Sequence, residues 1–206
     1  MSATGELTGT LRIDFVGREG ALRREENRDD DELGRKQALE DDIKRWIPFT
    51  ASLDNTTISN WDDVEQPLHV ETTLTLPAVA SSAGSRVLMP AEIFRGQQSA
   101  AFQAQKRVNM VYFQYPYQES DDLKIHVPAS YKIASLPAHP KLDRGLVIYN
   151  LSASQDANTA EIKRDLVMNA MLLGKDAYPA LRAFFFAVKS ADDSQIVLQN
   201  AANAGN

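Results

Sequence analysis

The 206-residue chain has no cysteine, which rules out disulfides, thiolate metal sites and cysteine nucleophiles together. The redox compartment is left open by this absence. Long hydrophobic runs are missing too, since no window approaches the roughly 20 apolar residues of a membrane span. The first residues, MSATGELTGT, lack the basic-then-apolar order of a signal peptide. Positive charge is scarce: 22 Lys and Arg stand against 28 Asp and Glu, a formal charge of −6. That balance argues against a nucleic-acid partner, and the pairs Arg23-Arg24 and Lys106-Arg107 are too short to make a phosphate-binding stripe. Glycine is scattered singly, so no glycine-rich phosphate loop follows a strand.

Apolar residues make up 43% of the chain, enough for a real core. Period-two alternation predicts a strand over residues 6 to 16, with Leu7, Gly9, Leu11, Ile13 and Phe15 on one face. After Gly17 and Gly20, Ala21 to Asn27 is expected to return as a polar edge strand. The acids Asp29 to Glu32 precede ELGRKQALEDDIKRWI, where Leu39, Ile43, Trp46 and Ile47 fall at helical spacing, so a helix over about 31–46 follows. Acids there suit its N-terminal dipole and cap its free N–H groups. A calcium loop is a poor reading of them because the ligand spacing and internal glycine are missing. Phe49 to Ile58 reads as extended, SNWDDVEQP as a turn, and Leu68 to Leu76 as the cleanest alternating strand, with His69 and Glu71 on its wet face. ASSAGS near position 82 reads as a loop and Arg86 to Met89 as a short strand. RGQQSAAFQAQ is expected to connect two lobes, 1–100 and 101–206.

Three extended segments follow within RVNMVYFQYPYQESDDLKIHVPASYKIASLP: Val111 to Tyr115 as a covered strand, Leu123 to Val127 as a half-buried one, and Tyr131 to Leu136. Leu146 to Leu151 is strand-like. Ala160, Ile162, Arg164, Leu166 and Met168 share one side of a long strand, although the composition also suits a helix. Asp176 is expected to cap a helix over about 177–191, with Pro179 in its first turn and Tyr178, Leu181, Phe185 and Val188 as its apolar stripe. Gln195 to Leu198 closes the series. The fold class is therefore α+β and β-rich, with antiparallel, sandwich-like sheets and two helices.

The residues offer little chemistry. His69 and His126 sit on polar strand faces and His139 in a loop, none with a partner at metal-ligand spacing, so no metal or cofactor is implied. A Ser-His-Asp site lacks the nucleophile elbow that would anchor it. Asp62-Asp63 and Asp121-Asp122 would serve a carboxylate-based hydrolase only if two carboxyl groups faced each other across a cleft. Both pairs also suit solvated turns. Among Tyr112, Phe113, Tyr115 and Tyr117, the rings of Tyr112, Tyr115 and Tyr117 are the best candidates for a glycan- or peptide-stacking platform, against the commoner role of sheet packing. Asn55-Thr56-Thr57 and Asn150-Leu151-Ser152 match a glycosylation sequon too common to carry weight.

GELTGTLRIDFVGREGALRRE, DDDELGRKQALEDDIKRWIP, the RVNMVYFQYPYQESD region and KDAYPALRAFFFAVKSADDSQIVL together resemble the C-terminal region of bacterial multidomain transglutaminase-like proteins. Those proteins carry an N-terminal domain of unknown function, a papain-like transglutaminase core, and a C-terminal β-rich domain of unknown function. The resemblance implies that activity lies in a Cys-His-Asp core preceding Gly5, so no family catalytic residue is carried over to any position here. It further implies a detached C-terminal portion that is not itself an enzyme, periplasmic or secreted with its parent. Such a portion would act as an accessory module packing against or positioning the core.

Overall fold

The computed structural model describes residues 1–94 and 101–201. The chain divides into two compact units, Ser2–Val79 and, with Met1, Ala80 onward. That division falls earlier than the lobe boundary expected at 100 and 101. Part of the expected connector, 95–100, lies outside the described residues.

In the N-terminal unit, strand β1 (Leu7–Phe15) is followed by helices α1 (Arg18–Glu26) and α2 (Glu32–Trp46), then strands β2 (Ser52–Ser59) and β3 (Leu68–Leu76). The strands form an antiparallel sheet in the order β1-β3-β2. β3 alternates as its sequence requires, with Leu68, Val70, Thr72, Leu74 and Leu76 buried. They join Phe15, Leu39, Ile43 and Ile47 in the core, each large apolar side chain contributing about 1.5–3 kcal/mol on full burial. Asp31 caps α2 by accepting from the Gly34 N–H at 2.8 Å, as its acidic run led us to expect.

The segment expected as a polar edge strand over Ala21 to Asn27 lies instead in helix α1 and its C-cap Asn27, so the described residues form three α-helices rather than two. Gly17 turns the chain at φ +56°, a conformation that glycine adopts at no steric cost. Gly20 packs so closely on β1 that a Cβ there would lie 2.6 Å from the Phe15 carbonyl oxygen. Arg23 pairs back to Glu19 one turn earlier and lays its guanidinium 3.9 Å from the Phe15 ring centre. Arg24 donates to four carbonyls of the loop after β2, those of Asn60, Trp61, Asp63 and Gln66, at 2.7–3.0 Å. The helix is thus held by its guanidinium groups rather than by an apolar stripe.

The C-terminal unit contains β4 (Ser81–Ala83), β5 (Arg86–Pro90), β6 (Val111–Tyr112), β7 (Tyr117–His126), β8 (Tyr131–Ser135), β9 (Lys141–Asp143), β10 (Val147–Asp156), β11 (Thr159–Met168), β12 (Leu172–Leu173), α3 (Tyr178–Asp192) and β13 (Gln195–Asn200). Two four-stranded antiparallel sheets run β7-β11-β10-β9 and β4-β5-β13-β8, and β12 pairs with β6 as a short ribbon. Four details differ from expectation. The ASSAGS loop contributes a short strand, β4. The covered strand expected over Val111 to Tyr115 ends at Tyr112, which is exposed. Asp176 makes no cap for α3, because a 3-10 turn at Lys175–Ala177 leads directly into the helix. The buried stripe of α3 runs through Tyr178, Leu181, Phe184 and Val188, while Phe185 is half-buried against Phe102, their ring centres 5.1 Å apart.

Candidate functional site

The long strand β11 buries Ala160, Ile162, Arg164, Leu166 and Met168 on one face, and among them Arg164 is the anomaly. Register places Arg164 opposite Asp121 on β7 and Leu151 on β10. The end of α3 supplies Asp192, whose carboxylate accepts from Arg164 Nε at 2.9 Å and Nη2 at 3.2 Å. Arg164 Nη1 donates to Glu119 and Asp121 at 3.3 and 3.2 Å. The Tyr149 hydroxyl, on β10, donates to Asp192 Oδ1 at 2.7 Å.

Glu92, just after β5, completes the cluster. It is 2% exposed, and its Oε1 accepts from the Phe94 N–H at 2.7 Å. Burial pushes its carboxyl up to about 7; Asp121 and Asp192 reinforce this, while the Phe94 bond and Arg164 oppose it. The Tyr149 hydroxyl is raised by burial and by the Asp192 carboxylate. Burial works against the Arg164 charge, yet its carboxylate partners hold the guanidinium above its ordinary value. Three carboxylates, those of Asp192, Asp121 and Glu119, thus accept from one guanidinium, while the buried Glu92 carboxyl holds its proton to higher pH than an ordinary glutamate. A proton held there could serve acid chemistry only if a substrate reached it, and Glu92, Arg164 and Asp192 are each under 5% exposed. The cluster's contacts are therefore structural: Arg164 of β11 ties β7 to the end of α3, and Tyr149 adds β10.

The residues singled out from sequence are distributed elsewhere. Tyr112 lies on β6 and is 65% exposed, Tyr115 is half-buried in the following bend, and Tyr117 opens β7 opposite Met168, also half-buried. Tyr115 and Tyr117 both have further contacts within the fold. Asp121 faces Arg164, whereas its neighbour Asp122 pairs with Lys163 at 3.6 Å. Asp63 caps the Glu65 N–H at 3.1 Å, and Asp62 is exposed. His69 bonds Asp14 at 2.8 Å, His126 bonds Thr159 at 2.9 Å, and His139 is exposed. Asp14, His69 and Ser59 occupy one cross-strand row of the β1-β3-β2 sheet. The row lies on the sheet's outer face, where Asp14 and Ser59 are exposed. Among the described residues, no group of three or more His, Asp or Glu is placed to hold a metal. A shallow hollow beside α3, lined by Ala138, Pro140, Ala187, Ser190, Ala191 and Ser194, carries no titratable side chain.

Sequence reasoning missed the buried cluster. Its one signal was the arginine in an otherwise apolar alternation on β11. Sequence reasoning also missed the concentration of exposed apolar residues around the β6–β12 ribbon. Val108, Met110, Tyr112, Leu146, Met171 and Leu172 are all about half exposed or more. Tyr112 and Leu172 are cross-strand partners, Phe113 N–H donates to the Met171 carbonyl at 2.8 Å, and Asn169 N–H donates to the Leu146 carbonyl at 2.7 Å. This patch is the molecule's clearest candidate for binding a partner.

A crystal structure of a candidate protease from Parabacteroides distasonis is similar at 14% identity and a TM-score of 0.42, over 48% of this chain and 20% of that one. The present chain therefore spans about a fifth of that protein's length. No curated protein matches. Residues 85–198 match the family described as "Domain of Unknown Function with solved-structure structure (DUF3858)". The matched span runs from β5 through β13 and makes up more than half of the sequence. The chain belongs to the DUF3858 family, whose domain occurs in bacterial transglutaminase-like multidomain proteins.

Proposed function

We propose that this chain is a non-catalytic accessory module of a bacterial transglutaminase-like protein, docking on the catalytic core and positioning it. The observation that carries this reading is the apolar patch around the β6–β12 ribbon. It includes Tyr112 at 65% and Leu172 at 55% exposure on paired strands. The chain has no cysteine, so a papain-like nucleophile must come from another domain. Exposed Lys106, Arg107, Arg144 and Lys175 stand beside the patch in sequence, within a chain of net charge −6. A partner surface with an apolar centre and an acidic rim fits it. Residence in the periplasm or outside the cell, together with the parent, belongs to the same proposal.

The test is calorimetry of the chain against the separately produced transglutaminase-like core of the parent protein. Micromolar or tighter association is expected, weakened at least roughly tenfold by Met110→Asp/Leu172→Asp, since a charge in an apolar interface loses its hydration. Association that ignores that pair of changes would remove the patch from the interface. The exposed Tyr112 ring supports a second reading, a glycan- or peptide-binding module. That reading gains if the core does not bind while a glycan or peptide does, and the triple variant Tyr112→Ala/Tyr115→Ala/Tyr117→Ala abolishes that binding.

A further inference from the structure

Strand edges are where β-rich chains recruit partners, and most edges in this molecule are guarded. β4 and β9 are three residues long, and β8 meets its neighbour through a register shift. β2 is bulged between Asp54 and Thr57, with Asn55 at φ +55°. β7 is long, but it carries Glu119, Asp121 and Asp122, which repel an identical strand. β1 has none of these defences. It runs nine residues in unbroken register with β3, contains no proline, and among the described residues has no strand on its other side. Leu7, Leu11 and Ile13 on its inner face remain half-buried, and Val16 just beyond it is 65% exposed.

We infer that β1 pairs antiparallel with β1 of a second copy about a two-fold axis at Ile13, joining two three-stranded sheets into one of six strands. The charges of β1 select this register. An axis at Ile13 sets Arg12 opposite Asp14 of the second copy, and Asp14 opposite its Arg12. On the same face, Thr10 meets Val16. On the inner face, Ile13 meets Ile13 and Leu11 meets Phe15. Moving the axis to Arg12 would set arginine against arginine, and moving it to Leu11 would leave both charges opposite threonines. Both charged side chains already touch their own sheet, Arg12 through Glu71 at 2.8 Å and Asp14 through His69 at 2.8 Å. The paired strands would therefore meet as a charged ladder rather than as isolated ions. A contact this narrow belongs to the weak, transient class, with less than about 1,200 Å² buried.

Sedimentation equilibrium of the chain from micromolar to millimolar concentration tests the inference. A reversible monomer–dimer equilibrium is expected, weakened roughly tenfold in R12D and in D14R, each of which sets like charges across the axis. The charge swap R12D/D14R should restore the dimer to within about threefold of the original. Recovery by the swap, in variants whose dichroism matches that of the unchanged chain, is the result expected of pairing across the axis. Circular dichroism of each variant confirms folding, and D14R serves should R12D fail to fold. A chain that stays monomeric throughout overturns the inference. So does a dimer unmoved by the single changes, or one that the swap does not restore. Loss of core binding in R12D, with no dimer at any concentration, would assign the edge to the core instead.

Discussion

At the scale of single residues, the Glu92 carboxyl has the most measurable consequence. Its ordinary value is 4.5 and the fold holds it near 7, so an unfolded chain ionises Glu92 before the folded one does. Stability from this group is fully present below about pH 4.5, falls as pH rises toward 7, and levels off above that, for a total loss on the order of 3 kcal/mol. Glu92→Gln removes the ionisation, so its denaturant midpoint should exceed that of the parent at about pH 8 and change less between about pH 5 and pH 8. Equal stability of the unchanged chain at both pH values would count against this account. Asp192 contributes through its pairing with Arg164. Asp192→Ala leaves Arg164 buried without its bidentate acceptor and should cost about 3–5 kcal/mol in urea unfolding. Tyr149→Phe removes one hydrogen bond to the same carboxylate and should cost only about 1–2 kcal/mol.

At the scale of elements, the two-residue turn joining β10 to β11 holds Ala157 at φ +49°. A side chain is disfavoured there, and glycine is the natural occupant of the first turn position. Ala157→Gly should therefore raise stability by about 0.5–1 kcal/mol, read as a shift of the thermal midpoint. Gly20→Ala should do the reverse, because its methyl would meet the Phe15 carbonyl at 2.6 Å. Elements with a strong period were legible in the sequence: β1, β3, β11, α2 and α3 stand where alternation or helical spacing put them. α1 was not legible, because REGALRREE has no apolar stripe and is held by Arg23 and Arg24 reaching an aromatic ring and a distant loop. The aromatic run after Met110 misled for the opposite reason. Its alternation suggested a covered strand, yet among the described residues ladder partners exist for only Val111 and Tyr112 of Val111 to Tyr115. The Arg164 cluster draws on β7, β10, β11 and the end of α3, and beyond the arginine set in the apolar alternation of β11 nothing local marks the meeting.

At the scale of the whole molecule, the N-terminal and C-terminal units each have a buried apolar core of their own. A chain beginning at Ala80 should therefore fold by itself and unfold cooperatively, with near-ultraviolet dichroism as the readout. A disordered fragment would mean that the division marks packing density rather than independent stability. Family membership resides in that C-terminal unit, and so does the apolar patch proposed to meet the core. Two of the patch's exposed members, Met110 and Met171, are thioethers. Peroxide converts a thioether to a sulfoxide, a polar and chiral group, and reductases can reverse the change. If the patch docks on the core as proposed, peroxide exposure would thus be written into the sulfur atoms of that face, weakening its hold while the buried framework beneath stays folded.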